Sequence, residues 1–184
     1  IERRNKGRLM SKPKHVYLVD GSGYIFRAFH ALPPLRRSDG VQVNAVLGFT
    51  NMLLKLLDET DADHIGVIFD AGRTSFRNEI YADYKAHRPE APPELIPQFG
   101  MVREATRACN VACVEMEGFE ADDIIATYAC RAKEAGADVT IVSSDKDLMQ
   151  LVNDRVRMLD PIKNKPISYA EVQEKFGVTP DKVV

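Results

Sequence analysis

The sequence has 184 residues, a length that fits one compact domain with a short extension. Apolar residues make up 45% of the chain and charged residues 28%, close to the globular average, which excludes wholesale disorder. No stretch approaches the ~20 consecutive apolar residues of a membrane span, and no apolar run follows the basic amino terminus as in a signal peptide. The three cysteines lack metal-ligand spacing, so the composition predicts a soluble domain with reduced thiols.

The charge is distributed unevenly around a formal net value of −2. Six of the 25 basic and one of the 27 acidic residues lie in the first fourteen, so the remainder holds 19 basic and 26 acidic residues, a net charge of −7. A basic nucleic-acid surface therefore does not dominate. An acidic excess suits a divalent metal site. We assign residues 1–12 to a basic extension, disordered or of vector origin, and residues 13–184 to one domain.

Short apolar runs bounded by turn residues alternate with segments of helical periodicity. This pattern predicts an α/β fold with a mainly parallel central sheet flanked by helices. The predicted strands are 15–19, 65–69, 111–114, 139–142 and, as a weaker candidate, 155–159. The predicted helices are 22–30, 46–57, 94–109, 122–135, 146–152 and 168–176. The segment 74–90, which precedes a cluster of prolines, is predicted to leave the sheet as a separate excursion.

Acidic residues follow three of the predicted strands at the point where each strand ends. Asp20 ends the first strand, Asp70 follows the second, and Asp145 and Asp147 come shortly after the fourth. Parallel strands bring these ends to one edge of the sheet, which is where open α/β sheets bind ligands. Each acid alone also fits ordinary turn or cap chemistry.

Three more acids, Glu120, Asp122 and Asp123, lie in the first turn of the helix after the third strand. By helical spacing, Glu120 and Asp123 share a face, while Asp122 points elsewhere unless it belongs to the capping turn. Carboxylates gathered at one edge repel each other, and cations relieve that cost. Mg²⁺ and Mn²⁺ prefer such oxygen ligands, and two ions ~3.5 to 4 Å apart can promote hydrolysis of a phosphodiester. The pattern favours a metal-dependent nuclease.

The excursion mixes basic and aromatic side chains. Basic groups neutralise phosphates and aromatic rings stack on unpaired bases, so the mixture suits single-stranded DNA. Acids in the same segment nearly cancel its charge, so a solvated loop fits the composition equally well. The side chains concerned are Arg73, Phe76, Arg77, Tyr81, Tyr84, Lys85 and Arg88.

Seven short motifs lie in order along residues 14–184: Val19-Asp20-Gly21-Ser22, Phe26-Arg27-Ala28-Phe29-His30, Phe69-Asp70-Ala71, Phe76-Arg77, Tyr84-Lys85-Ala86-His87-Arg88-Pro89, Glu120-Ala121-Asp122-Asp123 and Asp145-Lys146-Asp147. Together they resemble the amino-terminal 5′ nuclease domain of bacterial DNA polymerase I, in the flap endonuclease superfamily. The resemblance implies a PIN-like fold in which the excursion forms a helical arch over the active site. It also implies Mg²⁺- or Mn²⁺-dependent 5′ to 3′ exonuclease and flap endonuclease activity with two ions.

The resemblance further implies what the domain binds and where it acts. Its partners would be DNA with a 5′ flap, a nick or a free 5′ end, and the polymerase domains of the same longer chain. It would act as a monomer in the bacterial cytoplasm, at the nucleoid, without contacting a membrane.

The resemblance also assigns roles to residues of the motifs. Lys85 and Arg88 match catalytic residues that contact the scissile phosphate region, and Arg27, Arg77 and Tyr84 are further DNA-binding candidates. The acids around the first metal ion would be Asp20, Asp70, Glu120, Asp122 and Asp123, and those serving the second would be Asp145 and Asp147.

One departure from the family pattern concerns the end of the chain. Family members continue into a Gly-Asp-x-Ser-Asp-Asn type motif with two further acids and into a helix-hairpin-helix region, whereas this sequence stops at Val184. We therefore expect a fragment whose second metal site is short of ligands and whose activity alone is incomplete. Two alternatives stay open: a PIN-like metal-dependent ribonuclease, and a catalytically silent DNA-binding module.

Overall fold

The computed structural model describes residues 14–161 and 163–183, so the predicted extension at residues 1–12 lies outside the described residues. Six strands form one sheet in the order β3-β2-β1-β4-β5-β6. All neighbouring pairs are parallel except β5 and β6, which are antiparallel. The strands are β1 His15–Asp20, β2 His64–Ile68, β3 Ala112–Val114, β4 Asp138–Val142, β5 Val156–Asp160 and β6 Lys165–Ile167.

Within residues 14–161 and 163–183, six α-helices and two short 3-10 helices surround the sheet. The α-helices are α1 Gly21–Ala31, α2 Asn44–Glu59, α3 Phe76–Ile80, α4 Ile96–Ala108, α5 Ala121–Glu134 and α6 Tyr169–Phe176. The 3-10 helices are Asp147–Leu151 and Pro180–Lys182. No helix within the described residues has both the length and the apolar character needed to cross a membrane.

The structure confirms the mainly parallel α/β fold and adds elements that the pattern did not predict. β6 escaped prediction because its three residues, Lys-Pro-Ile, form no apolar run, and proline is tolerated on an edge strand. The short helices α3 and Pro180–Lys182 also lacked an apolar signature. The segment 146–152, predicted to be a helix, contains a 3-10 helix.

Two hydrophobic cores lie on opposite faces of the sheet. Successive residues of a strand point to opposite faces, so Val19 packs with Phe49 and Phe69 in the core beneath α1, α2 and α4. Its neighbour Leu18 packs with Ile125 in the second core, beneath α5. The domain therefore has three layers, with the sheet between two layers of helices.

The order of the strands creates a crevice between the carboxyl ends of β1 and β4. The chain leaves β1 toward β2 on one side, whereas β4 pairs with β1 on the other side after the crossover through α5. Connections that diverge in this way open a space at the strand ends, where sheets of this kind bind ligands. The acids that follow β1 and β4 flank this crevice.

Gly21 allows α1 to begin immediately against β2. A Cβ atom added there would lie 2.4 Å from Cε1 of Phe69 and 2.8 Å from Cγ1 of Val67. Both neighbours are fully buried, so neither can move away at low cost. The tight turn from β1 into α1 thus depends on a missing side chain.

We expect Gly21→Ala to lower the free energy of unfolding by about 1 to 3 kcal/mol, because a methyl group would overpack the core. Urea unfolding followed by circular dichroism measures the change. Gly100→Ala is the matched control. It lies within α4 with nothing within 4 Å of an added Cβ, so it should stabilise the protein by about 0.4 to 1 kcal/mol. Equal effects of the two substitutions would contradict the packing argument.

Candidate active site

Asp20 links the ends of β1 and β4. Its Oδ1 accepts a hydrogen bond of 2.9 Å from the Gly23 backbone N–H at the start of α1, and its Oδ2 accepts one of 2.8 Å from the Ser143 hydroxyl. Gly23 leaves room for this arrangement, since an added Cβ would lie 2.6 Å from Oδ2. Asp20 therefore has both the capping role that its position suggested and a place in the crevice.

Asp70 is held through both its backbone and its side chain. Its N–H donates to the Ser22 hydroxyl at 3.2 Å, and its carbonyl accepts from Nη2 of Arg103 at 2.8 Å. Its Oδ1 accepts a 2.8 Å hydrogen bond from the backbone N–H of Ala121, at the start of α5. Asp70 thus joins the end of β2 to the first turn of α5.

Asp145 and Asp147 form an exposed turn after β4. The N–H of Asp145 donates to the Ser143 hydroxyl at 3.0 Å, and Oδ1 of Asp145 accepts from the N–H of Asp147 at 3.0 Å. Asp147 then begins a 3-10 helix. The same serine therefore holds Asp20 and the loop that carries Asp145.

Asp122 interacts electrostatically with the acids at the strand ends. Burial raises the pKa of Asp122 to about 7, and the charges of Asp145, Asp20 and Asp70 act in the same direction. Burial also raises the pKa of Asp20, despite its hydrogen bonds from Gly23 and Ser143. We call Asp20, Asp70, Asp122 and Asp145 the edge carboxylates.

Glu120 and Asp123 instead make ion pairs with the excursion. Arg77 donates two 2.8 Å hydrogen bonds to the Asp123 carboxylate, and these bonds are the main cause of the lowered pKa of Asp123. Nζ of Lys85 lies 2.7 Å from Oε2 of Glu120, which also accepts from the Tyr84 hydroxyl at 3.3 Å. Burial disfavours the ammonium of Lys85, but its bonds to Glu120 and Tyr84 prevail and raise its pKa.

Helical spacing predicted that Glu120 and Asp123 share a face at the start of α5 and that Asp122 points elsewhere, and the structure has the same grouping. Asp122 interacts electrostatically with the other edge carboxylates. Glu120 and Asp123 instead form ion pairs with Lys85 and Arg77 of the excursion. Among the described residues, no three His, Cys, Asp or Glu side chains are placed to hold a single ion directly. The donor chemistry nevertheless fits Mg²⁺, which binds through one or two carboxylates and keeps several waters.

The excursion, residues 74–90, is only partly helical. It contains α3, and then turns run from residue 82 to residue 87. Lys85 adopts a φ of 56°, a left-handed conformation that a continuous helix excludes. Pro89, Pro92 and Pro93 interrupt regular hydrogen bonding further along. The structure thus places Arg77, Tyr84 and Lys85 beside the acids without a long arch helix, whereas Tyr81 is exposed and Arg73 lies near Glu90.

A cavity of about 740 Å³ lies between the excursion, α1 and α4. Lys85, Arg88, Asp70 and Glu120 are among the residues that line it. Its apolar wall includes the rings of Phe26 and Phe99, which meet edge to face with centroids 6.0 Å apart. The cavity therefore offers cations, carboxylates and aromatic surface within one space.

Arg27, on α1, does not line this cavity. Its Nη1 is buried and has no hydrogen-bond partner among the described residues. A buried donor without a partner is costly.

Sequence reasoning missed the side chains that hold the acids in place. Ser143 contacts Asp20, Ser22 contacts Asp70, and Arg103 reaches Asp70 from α4. The serines stand next to acidic motifs, so their positions carried a signal. Arg103 carried no such signal, because it belongs to none of the acidic motifs and only the fold brings it to Asp70.

The family model for the 5′-3′ exonuclease, N-terminal resolvase-like domain matches residues 15–177. The chain belongs to this family. It is 59% identical over 183 residues to DNA polymerase I of Rhizobium leguminosarum, covering 95% of this chain and 18% of that protein. It is 40% identical over 170 residues to the 5′-3′ exonuclease of Aquifex aeolicus, covering 92% of this chain and 59% of that protein.

A solved structure has the same fold as this 5′-3′ exonuclease-family chain. It is the bacteriophage T5 D15 flap endonuclease, in a pseudo-enzyme–product complex with DNA and metal ions. The TM-score is 0.70 at 22% sequence identity, covering 90% of this chain and 61% of that one. The chain therefore spans less than two thirds of each of these relatives.

We expect Asp122→Asn to stabilise the metal-free protein at neutral pH. The ordinary pKa of 3.8 rises to about 7 in the folded state, so the native protein binds more protons than the unfolded chain between these values. Stability from this group is therefore lost as the pH rises through that window. In EDTA at pH 8, the variant should gain on the order of 1 to 2 kcal/mol, because solvent screens part of the shift.

Urea unfolding at pH 4.5 and pH 8 checks this prediction. The advantage of Asp122→Asn should grow with pH and shrink when millimolar Mg²⁺ is added, because cations favour the ionised carboxylates. Asp58→Asn, an exposed change on α2, should have no such dependence on pH. An advantage of Asp122→Asn that is the same at both pH values would contradict the repulsion argument.

Proposed function

We propose that the chain is the nuclease part of a DNA polymerase I-type protein and hydrolyses DNA phosphodiesters at 5′ flaps, nicks and free 5′ ends. The observation that carries this proposal is the convergence of the edge carboxylates beside the cations of the excursion. Acids alone repel a phosphate, and cations alone do not supply hydrolysis. Their juxtaposition suits a reaction in which divalent ions mediate between protein and DNA.

Two Mg²⁺ or Mn²⁺ ions are the proposed cofactors. When bound, they supply activation of the attacking water and stabilisation of the leaving oxygen. The acids proposed to surround the first ion, directly or through bound waters, are Asp20, Asp70, Glu120, Asp122 and Asp123, and those proposed to serve the second are Asp145 and Asp147. The raised pKa values of Asp20 and Asp122 support this choice, since cations would relieve the repulsion among these groups. The metal ions bound to the T5 flap endonuclease support it by analogy.

The chain's own cations would bind and orient the DNA. Lys85 and Arg88 line the cavity beside Asp70, where they can contact the scissile phosphate region. Tyr84 and Arg77 adjoin them, with the Arg77 guanidinium carbon 5.8 Å from the centroid of the Tyr84 ring. Arg27 is a further candidate for a phosphate contact, which would require its guanidinium to turn outward, because its Nη1 is buried.

The excursion would change its contacts when DNA arrives. Lys85 now donates to Glu120, so a phosphate group and a carboxylate would compete for the same ammonium. A substrate that provides a phosphate at this position can release Glu120 for a metal ion. Binding of the correct DNA would in this way assemble the site, as in selection by induced fit.

The proposed setting is the bacterial cytoplasm, at the nucleoid. The polymerase domains of the same longer chain are the proposed protein partner. The match to about a fifth of a polymerase I supports that arrangement.

A substrate panel tests the nuclease directly. End-labelled 5′-flap, nicked duplex, single-stranded DNA and single-stranded RNA are incubated with Mg²⁺, Mn²⁺ or EDTA. We expect flap and nick cleavage that requires the metal and is abolished by Asp70→Asn, while Asp58→Asn cleaves like the wild type. The Aquifex aeolicus 5′-3′ exonuclease, of which the chain covers 59%, serves as the positive control.

The other outcomes of the panel identify the alternatives. Preferential cleavage of RNA would favour a PIN-like ribonuclease. DNA binding that is independent of Mg²⁺, without cleavage by this chain while the control cuts, would favour a silent binding module. Cleavage that survives Asp70→Asn would refute the proposed site.

The role of the excursion has its own test. The Lys85→Ala, Arg88→Ala double variant should lower flap cleavage by about 100-fold or more, because preorganised charges at a reacting group have effects of that size. Its DNA binding should also depend less steeply on salt. Single-turnover cleavage and a salt titration measure the two quantities.

Lys55→Ala is the control for a general loss of positive charge. Lys55 is exposed on α2 and lies 3.7 Å from Glu59 of the same helix. Its removal should change neither quantity. If flap cleavage by the double variant equals that of the wild type, the excursion is not a phosphate clamp.

A further inference from the structure

Arg103 lies on α4, at the wall of the cavity that also contains Asp70. All three of its guanidinium nitrogens donate hydrogen bonds. Nη2 donates to the Asp70 carbonyl at 2.8 Å, Nε to Glu115 at 2.7 Å, and Nη1 to the Phe99 carbonyl at 3.1 Å. The side chain is only 17% exposed. This arginine therefore has a defined orientation, unlike a surface cation.

These bonds join three separate parts of the fold. Arg103 belongs to α4, Asp70 follows β2, and Glu115 follows β3. The guanidinium carbon also lies 5.0 Å from the centroid of the buried Phe69 ring, next to Asp70 in the chain. Arg103 thus fixes the backbone at the point where the chain leaves β2 and enters the site.

The other contacts of Asp70 leave one oxygen available. Its N–H is bound to Ser22, its carbonyl to Arg103, and its Oδ1 to the N–H of Ala121. Within the described residues, Oδ2 has no hydrogen bond. With three of its polar atoms fixed, the carboxylate has little freedom to turn, and Oδ2 is the oxygen that remains for a ligand.

We propose that Arg103 is a positioning residue that holds Asp70 so that Oδ2 can bind the divalent cation. The inference rests on the proposed function, since it assumes that Asp70 is a metal ligand. Side chains that orient metal ligands commonly alter metal affinity when they are changed. The planar guanidinium suits this task, because it sends bonds in several fixed directions at once.

Two other roles of Arg103 make different predictions. If its charge alone mattered, its removal would strengthen cation binding, because a positive charge near the site repels the ion. If it contacted a DNA phosphate, its removal would weaken DNA binding and leave metal affinity unchanged. Its bond to Glu115 already neutralises its charge, which favours the positioning role over a phosphate contact.

Mn²⁺ binding without DNA distinguishes these roles. Electron paramagnetic resonance measures free Mn²⁺ in titrations of the wild type and of Arg103→Met, which keeps an apolar stem against Phe69 and lacks the donors. We expect Arg103→Met to weaken Mn²⁺ binding by about 10-fold or more. Arg103→Lys should recover only part of the affinity, because an ammonium cannot make the three bonds together.

Arg107→Met is the matched control. Arg107 lies one turn further along α4, is 55% exposed and approaches Glu115 at 3.9 Å. It makes no contact with Asp70, so Mn²⁺ affinity should change less than about twofold, as for ordinary surface pairs. Glu115→Gln, which weakens the anchor of Arg103, should reduce the affinity partially.

Asp70→Asn separates failure of this inference from failure of the proposed site. If Asp70→Asn weakens Mn²⁺ binding while Arg103→Met binds equally or more tightly than the wild type, the positioning role is overturned and the metal site stands. If Asp70→Asn binds Mn²⁺ normally, the proposed metal site itself fails. Thermal unfolding in EDTA establishes that each variant is folded. If Arg103→Met is unfolded, Arg103→Lys and Glu115→Gln decide the question, and normal affinity in both overturns it.

Discussion

The main constraint on this structure is the electrostatic repulsion among carboxylates that the fold gathers at one edge of the sheet. The charges of Asp20, Asp70 and Asp145 all act on Asp122. Burial and neighbouring negative charge make ionisation of Asp122 unfavourable. A domain selected only for stability would not keep this arrangement. The cost becomes understandable if cations bind at the edge, because binding to the folded state repays it.

The protein relieves part of this repulsion with its own cations. Arg77 and Lys85 come from the excursion and neutralise Asp123 and Glu120, whereas Lys85 is the only cation among the largest influences on Asp122. The acids are thus divided into a group held by the protein and a group left for external ions. Because the neutralising cations are also the proposed phosphate contacts, a phosphate bound there would change the charge around the acids.

The proposed metal ligands also need a rigid frame, because a metal ligand must present a particular oxygen. The Ser143 hydroxyl, at the end of β4, donates a hydrogen bond to Asp20 at the end of β1. Arg103, on α4, holds the backbone carbonyl of Asp70. Glycines permit the close approaches on which this frame depends, most clearly at Gly21. The frame is therefore built from neutral and basic residues that carry no metal-binding signature, and it extends over several elements of the fold.

Much of the fold and the location of the site could be predicted from the sequence, because local patterns determine them. β-branched runs and helical periodicity predicted five of the six strands and the main helices, and acids at strand ends must meet when the strands are parallel. β6 was missed because it has no apolar period, and the helical arch that the resemblance implied is in the structure a short helix, α3, followed by turns. Only the tertiary structure decided that Asp122 joins the edge carboxylates while Glu120 and Asp123 pair with Lys85 and Arg77. It alone brought Arg103 to Asp70, because contacts between residues distant in sequence depend on packing that no local pattern records.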